Sequence, residues 1–235
     1  MKTKYLLIFL FLNLTGIYLI AQDKIMDRRF KGKEIGLREF LGSNIVYPAE
    51  AIENKSIGYS ITSVTITPEG DIFEISTVNP ICKSIDENII QVLQSTKNKW
   101  LKCDSISINQ TFYIPVVYVL APSGESFAIE NPVNEKYNFV DPIVITAMPL
   151  LQKFIPEDDE TVAAKLSENL SGNDYQKALD FVDELIRRNP FNRELYQLRL
   201  SINRKLHKND LVLKDAQKMQ NFIPGVSLDE LLNKN

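Results

Sequence analysis

Residues 37–78 read LREFLGSNIVYPAEAIENKSIGYSITSVTITPEGDIFEISTV, and the spacing of their apolar side chains changes partway along. The apolar residues of 37–41 recur at helical spacing, and the helix must end before Pro48, because the residue preceding a proline is pushed away from helical angles. Residues 64–67 then alternate between apolar and polar with the period of two that is typical of a strand. A short turn leads to residues 72–78, which are rich in β-branched side chains. The stretch therefore predicts a helix followed by a β-hairpin.

The next two elements are predicted to be a helix and a long strand. Ser84 and Glu87 have the spacing of a capping box, and the apolar residues after them recur on one helical face. From Ile106 to Leu120 nearly every even-numbered position is apolar, as in a strand. Because proline cannot donate to a β-ladder, Pro115 favours either an edge strand or a position where the missing N–H faces outward. Residues 30–120 thus predict an α+β domain of two layers, an antiparallel three-stranded sheet with two helices.

The remainder of the chain changes character twice. Residues 121–157 contain five prolines, so no long regular element runs through them. The apolar residues from Tyr137 to Ile145 nevertheless predict that part of this linker packs onto a neighbouring domain. From residue 158 the apolar spacing becomes 3.6, so residues 158–235 predict an all-α domain of helical hairpins that ends in a short helix after Ser227.

Three groups of residues within 30–120 match a known pattern. They are the run Asn44-Ile45-Val46-Tyr47-Pro48-Ala49-Glu50-Ala51, the later Lys99-Trp100, and Ile114-Pro115-Val116 in the last strand. In this combination the region resembles the TonB C-terminal domain family. The chain departs from the family pattern at Gly32, where a Gly-Gly pair is usual, and at Leu101-Lys102-Cys103, where a Pro-Gly is usual.

The resemblance implies a binding function. Domains of this family bind a short extended peptide, such as one from an outer-membrane receptor, by adding it as a strand beside their last strand. The peptide-binding candidates that it implies lie along that strand: Ile106, Ile108, Gln110, Phe112 and Tyr113. Alternating apolar residues are also typical of a core, and the edge could instead be covered by the apolar linker or by a second copy of the domain in a homodimer.

The helical region carries a second pattern. It comprises Gly172-Asn173-Asp174-Tyr175-Gln176-Lys177-Ala178 and Asn189-Pro190 in one unit, and Tyr196, Arg199, Leu213, Asp215 and Ala216 in the next. With these residues 158–235 resemble tetratricopeptide (TPR) repeats. Two units are fewer than the three usually needed for a free-standing repeat array, so we expect this domain to lean on the linker, on the first domain or on a partner. If the strand edge is covered, the resemblance makes Tyr196 and Arg199 the candidates for a binding surface.

The first residues have the layout of a signal peptide. Lys2 and Lys4 precede an apolar run that ends at Ala21, so residues 1–21 predict export to the periplasm or out of the cell. An uncleaved run would instead anchor the protein in the inner membrane. That alternative would suit a TonB-type energy transducer, although residues 22–36 are far shorter than the spacer that such a protein needs.

Export also bears on Cys82 and Cys103, the only two cysteines in the chain. They flank the predicted helix that begins at Ser84, and oxidising compartments favour the pairing of thiols. The sequence therefore predicts a disulfide, which would stabilise the fold by roughly 3 kcal/mol, with two free thiols as the alternative.

Composition argues against several functional classes. The net charge of −3 lacks the basic excess that nucleic-acid binding requires. One histidine, His207, and two cysteines do not make a tetrahedral metal site, and we find no nucleophile elbow or phosphate-binding glycine loop. We therefore expect a non-catalytic scaffold or adaptor without cofactor or small-molecule substrate, whose partner is an envelope protein or an extended peptide of one.

Overall fold

The computed structural model describes residues 24–121, 138–149 and 155–233. The first range contains α1 (Ile25–Arg29), α2 (Lys33–Asn44), α3 (Ala49–Glu53), β1 (Gly58–Ile66), β2 (Ile72–Asn79), α4 (Lys83–Gln94) and β3 (Gln110–Leu120). The second contains β4 (Asn138–Phe139) and β5 (Ile143–Ala147), and the third α5 (Asp159–Ser171), α6 (Tyr175–Arg188), α7 (Arg193–Lys205), α8 (Asn209–Phe222) and α9 (Leu228–Asn233). The predicted signal peptide, residues 1–21, and Tyr137 lie outside these ranges. Within them, no helix has both the length and the apolar character to cross a bilayer.

The strands form one mixed five-stranded sheet. Strands β2, β1 and β3 lie side by side in that order, and both pairs are antiparallel, as the sequence predicts. Strands β4 and β5 then pair with β3 in the parallel direction. The expectation of a three-stranded sheet was wrong because the apolar part of the linker enters the sheet.

One face of the sheet is covered by the helices near the N-terminus. The even-numbered side chains of β3 point to this face, from Phe112 to Tyr118, and all are buried. They meet residues of β1, α2 and α4 in one core, which includes Leu37, Leu41, Val64, Ile66, Ile85 and Ile89. This core combines residues from 30–120 with Met26 and with Val140, Ile143 and Ile145 of the linker.

The opposite face is covered by the C-terminal helices. Tyr59 and Ile61 of β1 and Val117 and Val119 of β3 belong to the same core as α6 and α8, whose contributions include Val182, Leu185, Ile186 and Phe222. The helical region therefore leans on the sheet, one of the supports that the sequence predicts for it. The sheet lies between two helical layers, and its middle strands are buried on both faces.

The helix predictions succeed in type and fail in some details. The helices expected after residue 158 are present as α5 to α8, with α9 after Ser227. The capping box at Ser84 was wrong, because α4 begins at Lys83 and its N-cap, Cys82, makes no side-chain cap hydrogen bond. Leu213, a residue of the TPR-like pattern, is exposed on α8, whereas the neighbouring Val212 is buried.

Candidate functional site

The five residues predicted to bind a peptide do not share one free edge. Ile106 and Ile108 precede β3, which begins only at Gln110, and Ile108 is 73% exposed in the segment before the strand. Gln110 pairs with Ile66 of β1. Phe112 is fully buried, with its ring stacked on Trp100 at 5.8 Å between centroids. Tyr113 points to the other face and stacks on Phe139 at 5.0 Å.

The edge of β3 that a peptide would use is occupied by the chain itself. Strand β5 pairs with β3 from Val116 to Leu120, and β4 pairs with Phe112 and Tyr113. The N–H of Val140 also donates to the carbonyl of Tyr113 at 3.0 Å. The prediction of peptide binding at this edge is therefore corrected, and the alternative that the apolar linker covers it is the one observed.

Pro115 lies where the added strand is interrupted. Its partner on the β1 side is Ile61, and on the other side it falls between the pairs Tyr113–Phe139 and Val116–Ile143. Because proline has no N–H, the ladder loses nothing at this gap. Here the N–H of Asp141 donates to the carboxylate of Glu34 at 2.8 Å instead of to β3.

The segment that covers β3 is held by the burial of its apolar side chains in the core of one face. Val140, Ile143 and Ile145 are 1%, 5% and 9% exposed within the core of the first face. Burial of an aliphatic side chain stabilises a fold by roughly 1.5–3 kcal/mol, so the three together contribute roughly 5–9 kcal/mol. A peptide that replaced the segment would have to compensate for this loss.

Ion pairs hold the turn between β4 and β5. The carboxylate of Asp141 lies 2.9 Å from Nζ of Lys24 and 3.6 Å from the guanidinium of Arg38. Lys24 also contacts Glu34 at 3.1 Å. The inserted segment is thereby tied to α2 and to the residue that precedes α1.

Tyr196 and Arg199 do not form a binding surface on the helical layer. Tyr196 is fully buried, and burial raises the pKa of its hydroxyl. Arg199 lies between α6 and α8, where it pairs with Asp215 and with Asp183, each at 2.6 Å. Burial alone would lower the pKa of Arg199, but these two carboxylates raise it above its ordinary value. Both residues therefore serve the packing of the helices, and this prediction was also wrong.

The predicted disulfide is absent. Cys82 and Cys103 are free, with Sγ of each next to a serine hydroxyl, Ser84 at 3.5 Å and Ser105 at 3.2 Å respectively. The two cysteines lie near opposite ends of β2, whose eight residues span about 26 Å, whereas bridged cysteines have Cα atoms within about 7 Å. The N–H of Cys103 donates to Pro68 in the β1–β2 turn, while Cys82 follows the far end of β2. The number of residues between two cysteines does not give the distance between them in space, which is why the sequence did not exclude this disulfide.

Two sheet edges lack a neighbouring strand in the described residues: the outer edge of β2, and the opposite edge that β4 and β5 form together. Strand β2 has eight residues and carries Phe73, which is 66% exposed. Strand β5 has five residues, and Val144 in it is 42% exposed. Neither edge was predicted from the sequence, although the adjacent apolar pair Ile72-Phe73 breaks the alternation that is typical of a regular strand.

The acidic residues at the start of α5 are engaged in the fold. Asp158 caps α5 by accepting from the N–H of Thr161 at 2.7 Å, and Arg188 pairs with Asp159 at 2.6 Å. No three histidine, cysteine, aspartate or glutamate side chains in the described ranges are grouped so that they could hold a metal ion. The chain matches no protein-family model, no curated protein and no solved structure.

Proposed function

We propose that this chain is a non-catalytic binding or scaffold protein of a bacterial cell envelope, which holds a partner protein on its folded surface. The observation that carries the proposal is that apolar residues of the TonB-like pattern meet in one core on an antiparallel β2–β1–β3 sheet, among them Ile45, Tyr47, Trp100, Ile114 and Val116. Trp100 contacts Phe30 edge-to-face at 5.0 Å and stacks on Phe112, while Tyr47 contacts Tyr118 edge-to-face at 5.0 Å. Residues of the pattern thus pack against one another in this chain, and this packing supports the resemblance.

The mode of binding must differ from that of the family. In this chain the edge of β3 is already paired with β4 and β5. A partner therefore has to use another part of the surface, and the additional helical layer is consistent with a scaffold that has lost the peptide site.

The hypothesis that this chain is a TonB-type energy transducer has less support. Helix α1 packs into the core of the first face, where Met26 is 3% exposed. The spacer between Ala21 and the folded domain is thus shorter than the sequence indicates, because the fold includes residues from Lys24 onward. Such a short connection would not let an anchored domain reach across the periplasm.

A TPR-type assembly adaptor remains the second candidate. The observation in its favour is Leu213 on α8, an apolar side chain that is 43% exposed on the helical layer. It is a single side chain, and Tyr196 and Arg199 no longer support it. We therefore place it behind the sheet-based scaffold.

Affinity purification of the tagged full chain from envelope fractions, after brief chemical cross-linking in the cells, tests the proposal. We expect an envelope protein to be recovered in a constant ratio to the bait, and we expect the intact mass of the bait to lack residues 1–21. The untagged chain is the control. Recovery of the bait from the cytoplasm, or from the envelope without any partner, would contradict the proposal.

A further inference from the structure

We propose that the outer edge of β2 accepts an extended segment of the partner protein as an added strand, with a basic side chain opposite Glu74. This inference rests on the proposed function. It differs from the binding mode of the TonB family, which uses the last strand of the sheet.

The first argument is the position of β2. It is a terminal strand of the sheet, with no further strand beside it in the described ranges. Its residues, IFEISTVN, include neither lysine nor proline, the side chains with which proteins commonly protect such edges. Its backbone can therefore pair with another chain, as in other strand-addition complexes.

The pairing within the sheet defines the length of the site. The β1–β2 register is irregular at both ends, and the uninterrupted pairs run from Thr65–Glu74 to Thr62–Thr77. A regular added strand can therefore pair along residues 74–77. So short a ladder predicts modest affinity.

Phe73 offers a side-chain contact next to this ladder. The register passes from Ile66–Ile72 to Thr65–Glu74, so Phe73 has no opposite residue in β1 and forms a bulge. Its side chain is 66% exposed. An exposed aromatic ring beside an open edge gives an apolar side chain of the added strand a surface to pack on.

The charges around the edge favour a basic segment. Glu69, Asp71 and Glu74 are exposed, and no salt bridge to them is present in the described part of the chain. Two nearby basic groups are already engaged: Lys102 pairs with Asp104 at 2.8 Å, and Arg29 donates to the carbonyls of Thr67 and Pro68. A lysine or arginine of the partner would meet unpaired carboxylates here.

A second copy of this chain is a poorer occupant. Pairing of two short strand edges would bury far less than the roughly 800 Å² per partner of a stable interface. Phe73 is the one large exposed apolar side chain on β2 that could enlarge such a contact. An extended segment of another protein needs no larger area, because its other contacts can lie elsewhere.

Site-specific photo-cross-linking in the full chain tests the inference. The photoreactive amino acid benzoylphenylalanine replaces Phe73, and in a matched control it replaces Leu213, an exposed apolar residue of α8. Both variants are expressed in cells that make the partner, and thermal unfolding checks that they fold. We expect an adduct from position 73, mapped by mass spectrometry to an extended segment with a lysine or arginine. We also expect the substitution Glu74→Lys to reduce the yield of this adduct severalfold.

A synthetic peptide of the cross-linked segment gives the second readout. Replacing the basic residue of the peptide by glutamate should weaken its binding several-fold. The Glu74→Lys variant should bind this altered peptide with the original affinity, because the charges are then exchanged. An adduct from position 213 alone would overturn the inference and leave the proposed function standing. An adduct at twice the mass of this chain would assign the edge to a second copy and overturn it too. No adduct from either position, together with an empty affinity purification, would contradict the proposed function itself.

Discussion

At Gly58 the backbone of the sheet lies close to the backbone of the C-terminal helices. Its φ is +113°, and a Cβ there would lie 2.3 Å from the carbonyl oxygen of Arg187. We expect Gly58→Ala to lower the free energy of unfolding by roughly 2–4 kcal/mol, because it adds a clash with main chain to an unfavourable φ. Urea unfolding measures the loss.

Gly225 provides a matched control for that substitution. Its φ is also positive, at +71°, but a Cβ there would meet nothing within 4 Å. Gly225→Ala should therefore lower the free energy of unfolding only by the cost of a positive φ, roughly 1–2 kcal/mol. Equal losses in the two variants would mean that the approach to Arg187 does not constrain the fold.

Asp86 couples stability to pH. Burial raises the pKa of its carboxyl, although hydrogen bonds from the Ser60 hydroxyl and the Ile81 N–H offset part of the effect. A carboxyl whose pKa is raised on folding contributes stability that is complete below its unfolded pKa and is lost as the pH rises through the folded pKa. We expect Asp86→Asn, which keeps an acceptor for Ser60, to be at least as stable as the wild type at pH 7 and to show a smaller decline from pH 4 to pH 7.

Asp158 is a control for which stability should change with pH in the opposite direction. Its pKa is lowered by the hydrogen bond from Thr161 at the start of α5. The stability that it contributes is present above its unfolded pKa and is lost as the pH falls through its folded pKa. Asp158→Asn should therefore be less stable than the wild type at pH 7, and the difference should vanish in acid. Thermal unfolding across the pH range would refute the assignment if both variants moved in the same direction.

Strand β5 should contribute to stability through one of its two faces. Ile143 is 5% exposed and packs in the core with Ile145, whereas its neighbour Val144 is 42% exposed. We expect Ile143→Ala to cost roughly 2–4 kcal/mol and Val144→Ala less than about 0.5 kcal/mol in urea unfolding. A small effect at Ile143 would show that the added strand is loosely held and that the edge of β3 is accessible after all.

The elements with strong periodicity could be predicted from the sequence. The alternation around Val64 and the helical spacing after residue 158 indicate their structures locally, and both are observed. The neighbours of an element could not be predicted. Whether Ile143 packs on β3, and whether Tyr196 is buried by helices α6 and α8, depends on contacts between distant parts of the chain. An apolar residue has the same identity in a core as on a binding surface, which is why the site predictions failed where the element predictions succeeded.

The whole molecule should unfold in one cooperative transition, although two regions of its sequence resemble two different families. Trp100, the only tryptophan, reports on the core of the first face, while far-UV circular dichroism is dominated by the helices. Because the second core joins Tyr59 and Val117 of the sheet to the C-terminal helices, we expect both probes to give the same urea midpoint. Two separate midpoints would indicate that the helical layer folds independently of the sheet.

The pairing of β5 with β3 also affects the order in which the molecule can fold. The three antiparallel strands leave the ribosome first, and the edge of β3 has no partner until residues 138–147 have been synthesised. Parallel pairing between segments distant in sequence is slow, and an open edge is a template for aggregation during that interval. A nascent chain that stops before residue 138 would therefore be a natural substrate for chaperones and proteases, so that only the completed chain escapes quality control.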